Sequence, residues 1–146
     1  MKDFSFYNPT RIIFGKNSLK ELPNELKKYG KRIMITFGSG SIKRTDIYDK
    51  LIEQLKGFIV EEFWGLEPNP RVETVRKALI IARKFKPDIL LAVGGGSVID
   101  GTKLLSASYY FKSDPWDIVL AKGSNITKAL PFATILTVAA TGSEMN

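Results

Sequence analysis

Three consecutive glycines stand between a short apolar segment and a segment with helical spacing. The run is Gly94, Gly95 and Gly96, and Ser97 follows it directly. Residues without Cβ let the backbone turn sharply and lie close to a ligand. A helix that starts there directs its free N–H groups and the positive end of its dipole at the same place. This pattern therefore predicts a turn that binds phosphate.

The turn departs from two familiar phosphate-binding motifs. The dinucleotide motif G-x-G-x-x-G would need glycine where Ile99 stands, and the P-loop would need Gly-Lys-Ser/Thr where Gly101, Thr102 and Lys103 stand. Both a Walker-type NTPase and a standard Rossmann enzyme are therefore disfavoured. A tight strand-to-helix turn that binds no ligand remains the alternative.

A second segment of small and hydroxyl residues also follows a predicted strand. Residues 38–44 read GSGSIKR, and the first carboxylate after them is Asp46. NAD enzymes commonly place a carboxylate near such a position to hold the ribose 2′-hydroxyl, whereas NADP enzymes provide room and positive charge. The segment therefore favours a 2′-phosphate, and a flexible loop is the alternative.

Other polar residues are expected at the same edge of the sheet. Asp100 and Lys103 lie three apart on the helix after the glycines and so share one face, where a plain surface ion pair is the alternative. Thr137, Thr141 and Ser143 follow the final predicted strand. Because ligands gather at the carboxyl ends of strands in such sheets, we expect these hydroxyls to face the glycine turn.

Strand and helix patterns alternate along the chain. They predict strands at residues 11–14, 32–37, 58–63, 89–93 and 132–138, helices at 19–29, 46–55, 72–85 and 97–109, and a turn at 114–117. The last two strands are apolar almost throughout, which is typical of a parallel sheet covered on both faces. We therefore expect a doubly wound α/β domain with a mainly parallel sheet and helices on both faces.

Composition excludes several classes of protein. The 146 residues, 44% hydrophobic and 25% charged, indicate one globular domain. The net charge of +7 comes from basic clusters mixed with acidic residues, without a nucleic-acid-binding module, so we expect no nucleic acid partner.

No apolar run could span a bilayer and no signal core is present, so we expect no membrane partner and a cytoplasmic location. The chain has no histidine and no cysteine, so we expect no iron or zinc site within it.

The motifs in their order resemble the N-terminal part of the iron-containing (group III) alcohol dehydrogenases, in the butanol-dehydrogenase-like, NADP-dependent branch. The likeness rests on six segments, which are NPTRIIFGK (8–16), TFGSGSIK (36–43), EPNP (67–70), AVGGGSVIDGTK (92–103), DPW (114–116) and LTVAATGSEMN (136–146). It implies a Rossmann-like domain of the kind found at the N-terminus of dehydroquinate synthase. It also implies hydride transfer between a nicotinamide and a metal-bound alcohol or aldehyde.

The resemblance assigns a role to each candidate residue. It implies that Gly38, Ser39 and Ser41 surround the adenosine 2′-phosphate of NADP, with Lys43 nearby, and that NAD is the less favoured coenzyme. Gly95, Gly96 and Ser97 would hold the pyrophosphate, and Asp100 would lie toward the nicotinamide. The remaining contacts implied with the cofactor are Asn69, Thr137, Thr141, Ser143 and Asn146.

One departure from the family limits what this chain is expected to do. Family members continue beyond this length as a helical domain that supplies an aspartate and histidines for iron or zinc. We therefore expect residues 1–146 to be an incomplete dinucleotide-binding domain, inactive alone. We also expect a homo-oligomer, with self-association through an exposed edge at residues 132–138. The alternatives are a non-catalytic nucleotide-binding or interaction module, and a relative of glycerol dehydrogenase or dehydroquinate synthase.

Overall fold

The computed structural model describes residues 7–140 and 142–145. Its strands are β1 (Arg32–Phe37), β2 (Ile59–Phe63), β3 (Ile89–Gly94) and β4 (Phe132–Leu136). Its α-helices are α1 (Leu22–Leu26), α2 (Ile47–Gln54), α3 (Val72–Phe85), α4 (Gly96–Ser108) and α5 (Pro115–Leu120). Short 3-10 helices lie at Ser18–Glu21, Ser41–Arg44 and Ser143–Met145.

The four strands form one parallel sheet in the order β2-β1-β3-β4. Within it, Ile33 of β1 is aligned with Val60 of β2 on one side and with Ile89 of β3 on the other. The chain runs outward from β1 to β2 and then crosses back to β3, so its direction of winding reverses between β1 and β3. The expected doubly wound α/β fold is confirmed, and its switch point is the gap between these two strands.

Two apolar cores lie on opposite faces of the sheet. On one face α3 and α4 pack against the sheet around Leu79 and Ile99, and on the other α1 and α2 pack around Leu26 and Leu51. Successive side chains of a strand point to opposite faces, which is why β1 is buried from Ile33 to Phe37 and contributes to both cores. The helices on both faces are therefore required by the apolar content of the central strands.

One buried polar contact joins the sheet to α4. The hydroxyl of Thr102 donates to the carbonyl of Val98 (2.7 Å), and the hydroxyl oxygens of Thr36 and Thr102 are 2.6 Å apart. Since the Thr102 proton is used by Val98, Thr36 is the donor in the second bond. Both hydroxyls are thus satisfied within the core, where an unpaired polar group would be destabilising.

The predicted strand at residues 11–14 is wrong. This segment has no regular structure, and Ile12 and Phe14 are exposed. A strand needs a neighbour to pair its N–H and C=O groups, and the described sheet offers this segment none. The continuous apolar run from Ile12 to Phe14 favours a strand by residue type, but it carries no information about a partner.

Two further elements differ from the predictions because of proline. Helix 19–29 is replaced by a 3-10 helix followed by the short α1, since Pro23 lies in the first turn of α1 and has no N–H to donate to a preceding turn. The predicted turn at 114–117 is instead the start of α5, with Pro115 in its first turn and Asp114 as its N-cap. Both are standard helix-start positions for these residues.

Asp114 joins α5 to α3 and is expected to make stability depend on pH. Its carboxylate accepts hydrogen bonds from Nε and Nη2 of Arg76 (2.7 and 2.8 Å) and from the backbone of Trp116 (2.9 Å). The bond from Arg76, then that from Trp116, holds the pKa of Asp114 below its usual range. A depressed pKa in the folded state stabilises the fold above the unfolded-state pKa of about 3.9, and this contribution is lost as pH falls through the folded-state pKa.

We expect Asp114→Asn to keep the N-cap but lose the charge, so that it unfolds at a lower urea concentration than the parent at neutral pH. The two midpoints should converge as pH falls below about 3.9. Urea unfolding followed by circular dichroism at several pH values measures this. A midpoint difference that stays constant across the range would contradict the assigned cause.

Strand β4 lies at an edge of the described sheet and ends two residues before the predicted boundary. It pairs with β3 through residues such as Ile135, and Phe132 at its start is exposed. Within the described residues the outer side of β4 thus has no paired strand, although only Phe132 is exposed and its other four residues are half-buried. Self-association through it stays a prediction.

Candidate functional site

The parallel sheet brings the predicted site segments to one edge. Gly38 follows β1, Gly94 ends β3 and Thr137 follows β4, so all three stand at the carboxyl ends of their strands. Hydrogen bonds fix the neighbouring loops there, from the amide of Thr137 to the carbonyl of Gly94 (3.0 Å) and from the amide of Gly65 to the carbonyl of Gly38 (3.1 Å). The switch point between β1 and β3 therefore opens between the two glycine segments.

Gly94 and Gly95 differ in the space that surrounds an added Cβ. A Cβ on Gly94 would lie 2.6 Å from Cγ2 of Val98, which is too close for real atoms. A Cβ on Gly95 would meet nothing nearer than Cβ of Val138 at 4.0 Å, and its backbone is extended (φ −87°, ψ −172°). Gly94 is thus required by packing inside the chain, whereas no internal contact requires glycine at position 95.

The first turn of α4 offers an anion its N–H groups. Gly95 is the N-cap and no side chain of the described residues caps this helix. The carbonyl of Gly95 accepts from the amides of Val98 and Ile99, which leaves the amides of Gly96 and Ser97 as the leading donors. With 13 residues the helix is long enough for a full terminal dipole charge.

The segment EPNP brings Asn69 beside this helix end. The amide of Asn69 donates to Oγ of Ser97 (3.4 Å), and Asn69 adopts a left-handed backbone with φ of 54°. Glu67 braces the segment, since its Oε1 accepts from the hydroxyl of Thr74 (2.9 Å). Hydrogen bonds from its own amide, from Thr74 and from the amide of Arg71 hold the pKa of Glu67 below its usual range, against the effect of burial. The loop is therefore fixed with Asn69 at the mouth of the turn.

The Gly38 segment lines a separate cavity of about 400 Å³, which opens toward solvent. Its wall is formed by Gly38, Ser39, Gly40, Lys43, Trp64 and Gly65. Gly40 has a φ of 100°, which favours glycine, and it leads into the 3-10 helix that carries Ser41 and Lys43. Ser41 is exposed at the start of that helix and is not part of the cavity wall.

The ammonium group of Lys43 is held by aromatic rings. Its Nζ is 4.1 Å from the centroid of the Trp64 ring and 6.0 Å from that of Tyr48. The site residues predicted from the sequence do not include Trp64. Its place directly after β2, a neighbour of β1 in a parallel sheet, is the signal that could have found it.

The remaining candidate residues lie on α4 and beyond β4, and they differ in how far they are buried. Asp100 is exposed on α4, one turn after the glycines. Burial lowers the pKa of Lys103, and the negative charges of Asp100 and Glu144 partly oppose that shift. Ser143 is buried in the 3-10 helix that packs against α4, while Thr137 is exposed. Thr141 and Asn146 lie outside the described residues.

The residues present do not fit an iron or zinc ion. The sequence contains no histidine and no cysteine, and the described ranges bring no three acidic side chains into a group that could share a metal. Carboxylates alone are poor ligands for these metals. Within the same ranges, no helix combines the length and the apolar character needed to cross a membrane.

Comparison with known proteins identifies the family. The sequence model of the family of iron-containing alcohol dehydrogenases matches residues 9–146 of this chain. The whole chain is 53% identical to a probable NADH-dependent butanol dehydrogenase 1 of Bacillus subtilis and 45% identical to the NADPH-dependent aldehyde reductase YqhD of Escherichia coli, covering 38% of each.

A solved structure extends the likeness to three dimensions. The chain superposes on the NADH-dependent butanol dehydrogenase A of Thermotoga maritima with a TM-score of 0.94 and 39% identity, covering 100% of this chain and 37% of that one. The chain thus spans 38% of the length of the curated relatives, and their names include both NADH- and NADPH-dependent enzymes. The parallel sheet, the glycine turn at its switch point and the match over nearly the full length lead to one conclusion: the chain belongs to the iron-containing alcohol dehydrogenase family.

Proposed function

We propose that the chain binds a nicotinamide dinucleotide at the carboxyl edge of the sheet, with its pyrophosphate on the first turn of α4. The observation that carries this proposal is the room at Gly95, where an added Cβ would approach no protein atom more closely than Cβ of Val138 at 4.0 Å. That space lies directly before uncapped amides at the positive end of a helix, the arrangement that suits a phosphate. Glycine there serves a close approach by a ligand.

The remaining candidate residues divide between the two halves of the dinucleotide. We assign the adenosine 2′-phosphate to Gly38, Ser39, Ser41 and Lys43, and the pyrophosphate to Gly95, Gly96 and Ser97. The nicotinamide half is assigned to Asn69 and Asp100, with further contacts from Thr137, Thr141, Ser143 and Asn146. The hydrogen bond from the amide of Asn69 to Oγ of Ser97 supports including Asn69 in the site, since it joins the Asn69 loop to the residues proposed for the pyrophosphate.

NADP is proposed as the preferred coenzyme. The cavity wall carries Lys43 and no carboxylate. The nearest acid at the end of β2 is Glu62, whose two oxygens already accept hydrogen bonds from Tyr48 and Trp64 (2.8 Å each). A carboxylate engaged in this way is poorly placed to hold ribose hydroxyls, whereas the ammonium group of Lys43 attracts a phosphate.

The parent reaction proposed is hydride transfer between the nicotinamide and an alcohol or aldehyde, as the names of the relatives suggest. The bound dinucleotide supplies or accepts the hydride. Residues 1–146 hold and orient that coenzyme, and the metal that polarises the substrate oxygen would be held by other residues. We therefore propose that residues 1–146 bind coenzyme without turning over alcohol.

The test is calorimetric titration of the chain with NADPH and NADH. We expect NADPH to bind more tightly, and we expect Lys43→Ala to weaken NADPH about tenfold, the value of one charge-assisted contact, while leaving NADH unchanged. Lys84→Ala, an exposed lysine in the last turn of α3 at the opposite end of the sheet, is the matched control and should change neither affinity. Tighter binding of NADH would contradict the preference, and binding of neither coenzyme would reject the proposed function.

A further inference from the structure

Three aromatic rings form a compact cluster behind the Gly38 cavity. Phe37, at the buried end of β1, stacks on Trp64 with ring centroids 4.0 Å apart and planes 14° from parallel. Tyr48 of α2 meets both rings at 5.9 and 5.8 Å in tilted geometry. Because Phe37 is fully buried, the stack anchors the Trp64 ring to the sheet.

Glu62 fixes the cluster from a second side. Its Oε1 accepts from the hydroxyl of Tyr48 and its Oε2 from Nε1 of Trp64, each at 2.8 Å. Tyr48 and Trp64 come from different elements, so one carboxylate ties α2 to the end of β2. The hydrogen bond to Glu62 also raises the pKa of the Tyr48 hydroxyl, which stabilises its protonated, donating form. The orientation of the Trp64 ring is thus determined by stacking and by a hydrogen bond together.

One face of Trp64 therefore remains to receive Lys43. The Lys43 ammonium lies 4.1 Å from the ring centroid, within the range of a cation–π contact, and both residues line the same cavity. A lysine side chain otherwise samples many rotamers, and holding it in one of them before a ligand arrives lowers the entropy lost on binding.

We propose that Trp64 is a positioning residue for coenzyme choice: its ring holds the Lys43 ammonium over the cavity that receives the adenosine 2′-phosphate, so that Trp64 sets the preference for NADP over NAD through Lys43. This inference rests on the proposed function. It assigns specificity to a residue outside the glycine segments, and it makes the aromatic cluster part of the coenzyme site.

The test separates this role from a merely structural one by comparing two coenzymes in a double-mutant cycle of four proteins, with Trp64→Phe and Trp116→Leu as further variants. Trp64→Leu removes the ring face, and we expect it to weaken NADPH about three- to fivefold, the size of an exposed cation–π contact, and to leave NADH unchanged. In a Lys43→Ala background the same substitution should no longer change the ratio of the two affinities. Trp64→Phe, which keeps an aromatic face, should retain most of the preference.

Calorimetry measures these affinities without depending on tryptophan emission. Trp116→Leu, a half-exposed tryptophan on α5, is the matched control and should leave both coenzymes unaffected. Equal weakening of NADPH and NADH by Trp64→Leu, or an unchanged shift in the Lys43→Ala background, would overturn the inference while leaving the proposed function intact. Failure of the parent chain to bind either coenzyme would overturn both.

A second measurement does not require replacing Trp64. The chain has two tryptophans, so Trp116→Phe leaves Trp64 as the single reporter. We expect 2′,5′-ADP to change the Trp64 emission more than 5′-ADP does, because only the 2′-phosphate binds the Lys43 ammonium group that lies over the ring. Identical changes with both nucleotides would contradict the proposed contact.

Discussion

Gly30→Ala is expected to lower the free energy of unfolding by about 2–5 kcal/mol, the sum of backbone strain and a steric clash. Gly30 has a φ of 150°, a conformation that residues with a Cβ rarely adopt. A Cβ built there would lie 2.1 Å from Oδ2, 2.3 Å from Cγ and 2.6 Å from Cβ of Asp88. Since even the Cβ of Asp88 is too close, rotating that side chain cannot relieve the clash.

Asp88 cannot move away without further loss. Its Oδ2 accepts hydrogen bonds from the amides of Lys31 and Arg32, both at 2.8 Å, and its own amide donates to the carbonyl of Arg32. These contacts join the starts of β1 and β3, the two central strands. Displacing the carboxylate would leave the two amides unpaired or paired only with water, and would loosen the alignment of the strands.

Gly57→Ala is the control that measures the cost of backbone strain without a steric clash. Gly57 has a φ of 92° and open space around its Cβ position, so we expect it to cost only the strain, about 1–2 kcal/mol. Urea unfolding of both variants measures the difference. If the two substitutions destabilise the chain equally, the contact with Asp88 contributes nothing and its assigned role is wrong.

The second large effect concerns the neighbours Gly94 and Gly95, whose alanine variants are expected to fail in different ways. Gly94→Ala should lower the free energy of unfolding by about 1–3 kcal/mol, because its Cβ would overlap Val98. Val98 is β-branched and held in one rotamer by its helix, so it cannot turn aside. Adding Val98→Ala to this variant should recover part of the lost stability.

Gly95→Ala should leave stability within about 0.5 kcal/mol of the parent, since its Cβ would meet no close neighbour. We expect instead that it weakens NADPH and NADH alike by about tenfold or more, because the added methyl occupies the place proposed for the pyrophosphate that both share. Thermal unfolding and calorimetric titration together measure the two quantities.

The contrast between these neighbours is the informative result. A Gly95→Ala variant that binds both coenzymes as tightly as the parent would show that the pyrophosphate lies elsewhere. A Gly95→Ala variant that unfolds as readily as Gly94→Ala would show that the open space before α4 is not available. Either outcome would remove the main support for the proposed function.

Most of the sheet and its longest helices could be predicted from the sequence. Strand β1 and helix α3 have the predicted bounds, and Val75, Leu79 and Ala82 of α3 point into the core as the spacing indicates. These elements are defined locally, by periodicity and by breakers such as Pro87, which separates α3 from β3. Because the strands are parallel, their order in the chain was sufficient to place the glycine segments at one edge.

The failed predictions have two different causes. An apolar strand pattern at residues 11–14 does not form a strand, because pairing requires a neighbour that periodicity cannot reveal. The helix signals of Asp114 and Pro115 were present, but they were read as a turn. Only the first error concerns a segment where packing decides more than propensity.

Residue types and spacing by themselves determined the α/β class, the position of the glycine turn between a strand and a helix, and the lack of side chains suited to hold iron or zinc. Only the tertiary structure showed that a Cβ at Gly94 would overlap Val98 whereas a Cβ at Gly95 would have room, because this depends on how the turn meets α4 and on where Val138, beyond β4, lies. It alone placed Lys43 on the ring of Trp64, a residue 21 positions away and on another element. The physical reason is that periodicity fixes the direction of a side chain relative to its own helix or strand, whereas distances between elements follow from how the sheet and its helices pack.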